Sequence, residues 1–208
     1  MTERPPLRLG FLASHGASGA RAILEAARTG GLRAEGRLLI SNNESAAAHD
    51  VAREYGLASL TLNARRCGGE EACDAAIAEA LDAAGCDWIV LSGYMRLLGP
   101  QTLAAFPRRI LNIHPALLPA FGGQGMYGDH VHRAVLAAGA ARSGASVHLA
   151  DAQYDHGAVL AQREAPVLPG DTLETLRECV RALEGPLLVE TLAAIQAGRL
   201  DPGRLPPG

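Results

Sequence analysis

Apolar runs and helix-period segments alternate along the first half of the chain. Leu7 to Ser14 reads as a strand and Ala20 to Arg28 as a helix, and the pair repeats in Glu35 to Ser41 with Ala46 to Tyr55, then in Ser59 to Leu62 with Glu71 to Ala83. This rhythm predicts a parallel sheet with helices on both faces. Burial on both faces explains why the strand runs are almost continuously apolar. A fourth strand is expected over Trp88 to Ser92, followed by a short segment from Pro100 to Phe106. A fifth, Arg109 to Ile113, runs straight into Pro115.

The rhythm then breaks. Pro115, Pro119 and the glycines at 122, 123, 125 and 128 make a long irregular stretch before a helical segment from Asp129 to Ala137. Loops of that length inside a domain are usually functional or disordered. Two closely spaced strand runs follow, Ala145 to Leu149 and Val159 to Glu164, and their short separation favours an antiparallel pair. Asp171 and Glu174 have the spacing of an N-cap and its capping-box partner, opening a helix with apolar positions Leu173, Leu176, Val180 and Leu183. Gly185-Pro186 is expected to kink or split it, and the Pro- and Gly-rich tail from Gly198 to Gly208 to be loosely held. Without internal repeats or a low-complexity linker, the pattern predicts one domain over residues 1–208. Its class is α/β, a Rossmann-like open twisted sheet with a parallel N-terminal half and an antiparallel C-terminal strand pair.

Composition narrows the chemistry. The 208 residues are 48% hydrophobic, ample for a core, and 19 basic against 22 acidic residues leave a formal charge of −3. Both signs are spread along the chain, so there is no nucleic-acid or anionic-membrane footprint. Every basic residue is Arg. The absence of Lys excludes a Walker A phosphate loop and a Lys Schiff base. Cys67, Cys73, Cys86 and Cys179 form no C-x-x-C pair, so reduced structural thiols are expected. No apolar stretch nears the ~18 residues of a membrane span, and MTERPPLRLG lacks a charged-then-apolar leader. The expected location is cytoplasmic.

Three places could carry chemistry. The first βα turn, Ser14 to Ala20, brings small residues and a hydroxyl to a helix N-terminus, where free amides and the dipole bind anions. It is not a dinucleotide fingerprint, and small residues there also serve tight packing. In R-R-I-L-N-I-H-P, Asn112 and His114 leave one face of a predicted strand at its carboxyl end, where open α/β sheets bind ligands; a satisfied core His is the plainer alternative. The loop A-D-A-Q-Y-D-H-G supplies Asp151 and Asp155, either of which could face that His or simply cap its own turn. His130 and His132 lie about 200° apart on a helix and share no metal-binding face. His148 is expected beside the site or in the core, and His15 and His49 at the surface.

Taken together, the small-residue first turn, S-G-Y-M-R-L-L at 92–98, I-L-N-I-H-P-A-L-L-P at 110–119, S-V-H at 146–148 and the Asp155 loop resemble the folate-dependent phosphoribosylglycinamide formyltransferase family. The likeness runs in family order over almost the whole chain. Relatives with an added C-terminal or N-terminal domain, such as methionyl-tRNA formyltransferase or formyltetrahydrofolate deformylase, are longer. The resemblance implies small-molecule substrates, 5′-phosphoribosylglycinamide and 10-formyltetrahydrofolate. The folate would be a cosubstrate, with no tightly bound cofactor, no metal, and no nucleic-acid or membrane partner, in a monomer or homodimer. It assigns catalysis to Asn112, His114 and Asp155. Ribotide binding falls on Ala17, Ser18, Gly19 and Glu184, and folate binding on Met95, Arg96, Leu97, Leu98 and Asn112. The alternative activity is hydrolysis of 10-formyltetrahydrofolate by the same three catalytic residues.

Attack by a neutral amine on a formyl carbon creates a negative oxygen and a positive nitrogen. An imidazolium at His114 and the Asn112 amide would stabilise the oxyanion, and Asp155 would favour that imidazolium and help take the amine proton. Met95, Leu97 and Leu98 suit one wall of a slot for the pterin ring, and Arg96 could meet the folate carboxylate. Two departures stand out. The ribotide turn usually reads G-S-N but here is Ala17-Ser18-Gly19, and an Arg the family uses near the folate tail falls on Glu70, with Arg65 or Arg66 as possible substitutes. The segment G-G-Q-G-M-Y-G-D-H-V-H at 122–132 has no assigned role.

Overall fold

The computed structural model describes residues 4–205. In chain order the elements are β1 (Leu7–Ala13), α1 (Ser18–Arg28), β2 (Ala34–Ser41), α2 (Ala48–Glu54), β3 (Ala58–Thr61), α3 (Ala64–Cys67) and α4 (Glu70–Ala83). There follow β4 (Trp88–Leu91), α5 (Pro100–Ala105), β5 (Ile110–His114), α6 (Asp129–Ala137), β6 (Arg142–Leu149), β7 (Val159–Pro166) and α7 (Leu173–Gln196). The strands form one seven-stranded sheet in the order β3-β2-β1-β4-β5-β6-β7. β1 to β5 pair in parallel, whereas β6 runs antiparallel to β5 and β7 antiparallel to β6.

Alternation along the strands supplies both faces. Leu9 and Phe11 of β1, Val90 of β4 and Leu111 of β5 pack in one cluster with Ile23 of α1, Val51 of α2 and Leu188 and Leu192 of α7. Leu12, Ile89, Leu91 and Ile110 point the other way, onto Ile77 and Leu81 of α4 and onto Phe106. The sheet is therefore covered on both sides, as its near-continuous apolar runs require. Strand order reverses between β1 and β4. Ligands in open α/β sheets bind in the crevice at such a switch point, outside the carboxyl ends of the strands.

Several boundaries differ from the sequence expectation. β6 starts at Arg142 because Arg142 to Gly144 find partners in Pro166 to Glu164, and Pro166 is tolerated because β7 lies at the sheet edge. A one-turn helix, α3, precedes α4. The α7 cap is Thr172, not Asp171: its hydroxyl accepts from the Thr175 N–H, and the Thr172 N–H donates to the Thr175 hydroxyl. Asp171 instead ties the turn before the helix, accepting from the Leu168 N–H at 2.7 Å, and Glu174 has no part in the cap.

Nor does Gly185-Pro186 split α7, which continues to Gln196. Proline removes one ladder donor, but Leu187, Leu188, Leu192 and Ile195 just beyond it are buried in the core, and that packing holds the second half helical. The preceding glycine has its own reason: a Cβ at Gly185 would lie 2.8 Å from Ala22 Cβ, so α7 crosses α1 at that residue. Of the tail, Pro202–Arg204 forms a 3₁₀ turn whose Pro202 carbonyl accepts from Arg108, as does that of Leu205. Residues 206–208 lie outside the described residues.

Candidate active site

β5 presents Asn112 and His114 on one face, as expected from their spacing. Its neighbour β6 places His148 directly opposite Asn112 and Ser146 opposite His114. The loop between β6 and β7 folds back over this face and delivers Asp155, whose backbone adopts a positive φ of 54°. Asp155 Oδ2 lies 3.3 Å from His114 Nδ1, and Asn112 Nδ2 donates to Asp155 Oδ1 at 3.4 Å. The three side chains therefore converge. Asp151 does not join them: it accepts from the Gln153 N–H and pairs with His156.

Hydrogen bonds define the proton positions. His114 Nε2 lies 2.8 Å from the carbonyl oxygen of Phe121, which can only accept, while Nδ1 faces the Asp155 carboxylate. Both ring nitrogens thereby have a partner. His148 Nδ1 donates to the Leu149 carbonyl, which leaves Nε2 free to accept from Asn112 Nδ2 at 3.0 Å. The reverse Asn112 orientation would set its amide oxygen against Asp155 Oδ1, so the amide nitrogen faces both partners. Burial alone would raise the pKa of Asp155. Hydrogen bonding from His114 and from the Gly123 N–H at 3.0 Å outweighs it and holds the carboxyl well below the usual range.

These groups line a cleft of about 500 Å³ at the switch point. At one end stands the N-terminus of α1. Ala17 caps it with a left-handed backbone and no side-chain bond, and Ser18 and Gly19 line the cleft. The Ala20 N–H is already taken by Ser92 Oγ at 3.0 Å. The amides of Ser18 and Gly19 have no partner among the described residues and face the cleft end of the dipole. Gly19 has little room for a side chain, since a Cβ there would sit 2.8 Å from Leu188 Cδ1 and 3.1 Å from Ser92 Oγ.

From α7, Arg181 and Glu184 line the same end. Burial pushes the Glu184 carboxyl up to about 7, against the opposing pull of Arg181 and His114. Of the expected folate segment, Met95 lines the cleft, its N–H anchored to Ser14 Oγ at 2.8 Å. Leu98 is instead buried in the core, Leu97 is exposed, and neither they nor Arg96 lines the cleft. Arg96 faces Glu70 at 3.6 Å, and Arg66 pairs with Glu44 at 2.9 Å.

Sequence reasoning missed four contributors. Arg181 is three residues before Glu184 on the same helix, a spacing that signals a shared face. The Phe121 carbonyl and the Gly123 N–H act through the backbone, which no side-chain motif reveals. His132 lines the cleft, a place that its angle to His130 on the helix does not reveal. His49 is half-buried rather than at the surface, bonded to Ser59, Thr61 and the Asn43 carbonyl.

A family model described as formyl transferase matches residues 7–192. The chain belongs to that family. It is 42% identical over 190 residues to the phosphoribosylglycinamide formyltransferase of Mycobacterium tuberculosis, covering 91% of this chain and 85% of that one. It is 38% identical over 194 residues to the chloroplastic enzyme of the same name from Arabidopsis thaliana, covering 93% of this chain but only 66% of the longer relative. Among solved structures, glycinamide ribonucleotide transformylase 1 from Symbiobacterium toebii superposes with a TM-score of 0.88 at 38% identity, over 94% of this chain and 90% of that one. The Rossmann-like fold expected from the sequence is the fold shared with that solved structure.

Proposed function

We propose that this formyltransferase moves the formyl group of 10-formyltetrahydrofolate to the amine of 5′-phosphoribosylglycinamide, a step of purine synthesis. The products are the N-formyl ribotide and tetrahydrofolate. The observation that carries the reading is the convergence of Asn112, His114 and Asp155 in one cleft with a helix N-terminus whose first amides have no partner among the described residues. The ribotide phosphate docks on the Ser18 and Gly19 amides behind the Ala17 cap, with Arg181 adding charge, and Glu184 meets the ribose hydroxyls. Met95 lies against the pterin.

In the reaction the amine lone pair attacks the formyl carbon and the carbonyl electrons move to oxygen. The Asn112 amide and a His114 N–H stabilise that oxygen, His114 Nε2 exchanging the Phe121 carbonyl for it and Asn112 Nδ2 its long bond to Asp155 Oδ1. Each such donor is typically worth ~10² to 10³ in rate. Asp155 holds the imidazolium and, directly or through water, receives the amine proton. The C–N bond to the folate then breaks, its nitrogen taking a proton. No step calls for a metal, and no resident cofactor is needed beyond the cosubstrate. Residues 1–208 act as one formyltransferase domain in a cytoplasmic monomer or homodimer, a setting that suits two water-borne anionic substrates.

Turnover of purified ribotide and 10-formyltetrahydrofolate, followed by absorbance of the released folate, tests the reading. Ribotide-dependent release is expected. Formate release at the same rate without ribotide would overturn transfer in favour of hydrolysis.

A further inference from the structure

Three polar side chains lining the cleft are almost wholly buried: Ser92, His114 and His132. Ser92 accepts from the Ala20 N–H, and His114 is held at both ring nitrogens. His132, on the first turns of α6 and 3% exposed, differs. Its Nδ1 is sealed from solvent with no hydrogen-bond partner, and Nε2 has none among the described residues. A buried polar atom without a partner costs roughly 1–3 kcal/mol, so a retained one needs a reason.

The surroundings of the ring say which form it takes. Asp129, Arg177 and His114 are the charged groups facing it, and Asp129 is spent on Arg177 at 3.1 Å. Burial, with Arg177 and His114 beside it, keeps the imidazole neutral, pushing its pKa down. A sealed Nδ1 without an acceptor is better as a bare lone pair than as an orphaned N–H. The proton then sits on Nε2, making His132 a hydrogen-bond donor in search of an acceptor.

We propose that His132 recognises the acceptor substrate, its Nε2–H donating to the amide carbonyl of the ribotide's glycinamide arm. This rests on the reading of the cleft given above, with the phosphate at Ser18 and the amine at His114. The arm carries one carbonyl, between the ribose and the amine. A donor adjoining His114 matches it, and a donor tells a carbonyl from a second amine. His132 thus sets specificity and alignment.

The test separates this from a structural role. His132→Phe keeps the ring volume without the N–H, and His132→Gln restores a donor. The Phe variant should raise KM for the ribotide ~10- to 100-fold, the range of one buried hydrogen bond, with KM for 10-formyltetrahydrofolate unchanged and Gln recovering most of the loss. In the unsubstituted protein labelled with ¹⁵N-histidine, adding ribotide alone should shift the His132 Nε2 resonance. An unmoved resonance, or equal KM values in the Phe variant, overturns the proposal, and the resonance remains decisive where a variant fails to fold. If the unsubstituted protein shows no ribotide-dependent turnover, the functional reading itself has failed; turnover with an unmoved His132 sinks only this inference.

Discussion

Asp155→Asn is the sharpest perturbation of the proposed chemistry, because it removes the charge and keeps the side-chain shape, at the loss of the long bond from Asn112 Nδ2. The carboxylate lies 3.3 Å from His114 Nδ1 with 8% of its side chain exposed. Two unit charges at that distance interact by about 5 kcal/mol at an effective dielectric near 20, an upper bound on what the imidazolium gains. Converted at about 1.36 kcal/mol per tenfold, that bound is a little under 10⁴ in rate. It agrees with the ~10² to 10⁴ usual for a positioned acid or base. The isosteric amide keeps an oxygen for the Gly123 N–H, so the loop need not move. We expect kcat to fall ~10³-fold with KM for either substrate within about threefold, measured by steady-state release of folate, because the carboxylate acts in the transition state rather than in binding. The pH dependence of stability supplies a second readout. A carboxyl whose folded pKa is depressed stabilises the protein above its ordinary value near 4 and loses that contribution as the pH falls below it. The difference in melting temperature between parent and variant should therefore shrink on acidification. A variant retaining more than a tenth of parental kcat, folded by circular dichroism, would refute the role given to Asp155.

The remaining predictions concern the ribotide end. Glu184 titrates at about 7 in the folded protein, so KM for the ribotide should fall as pH rises through that value, and Glu184→Gln should flatten the profile in steady-state assays. The same raised pKa favours the protonated folded state, so parental stability should decline as pH climbs from about 4.3 toward 7, a slope that melting curves of the Gln variant should lack. Gly19→Ala presses on Leu188 and Ser92 and should destabilise by about 1–3 kcal/mol in urea unfolding. Ala17→Gly relieves a left-handed alanine with φ 52° and should not destabilise, with a gain of up to ~1 kcal/mol in the same measurement.

The parallel half of the fold was legible because strand faces alternate and both are apolar: Leu9 and Phe11 against one helix layer, Leu12 against the other. Asn112 and His114 were legible for the same periodic reason. The misjudged features depend on competition between neighbours. Asp171 and Thr172 are both good caps, and the hydroxyl exchange with Thr175 decides in favour of Thr172, a pairing the D-x-x-E reading overlooked. Pro186 carries a local penalty that only the burial of Leu188 and Leu192 overrides, and that burial is tertiary. Leu97 and Leu98 look alike in sequence, yet one is exposed and the other in the core, because the segment after β4 is irregular and lacks a period from which to read a face.

The change of strand direction at β5 explains why the site is built where it is. Were β6 parallel, its carboxyl end would lie beside that of β5, and a loop leaving it would head away from the sheet. Running antiparallel, β6 ends opposite Leu111, so the loop to β7 must turn back across the β5 face, and Asp155 arrives above His114. The same reversal puts His148 across from Asn112, where its Nδ1 bond to Leu149 fixes the ring and hence the amide. The Phe121 carbonyl and Gly123 N–H close the arrangement from the other side, one holding the imidazole and the other the carboxylate. The proposed catalytic pair is therefore gripped by two loops that share no sequence neighbourhood. It follows that displacing the 121–128 segment, with every proposed catalytic side chain intact, disorders both members of the pair at once.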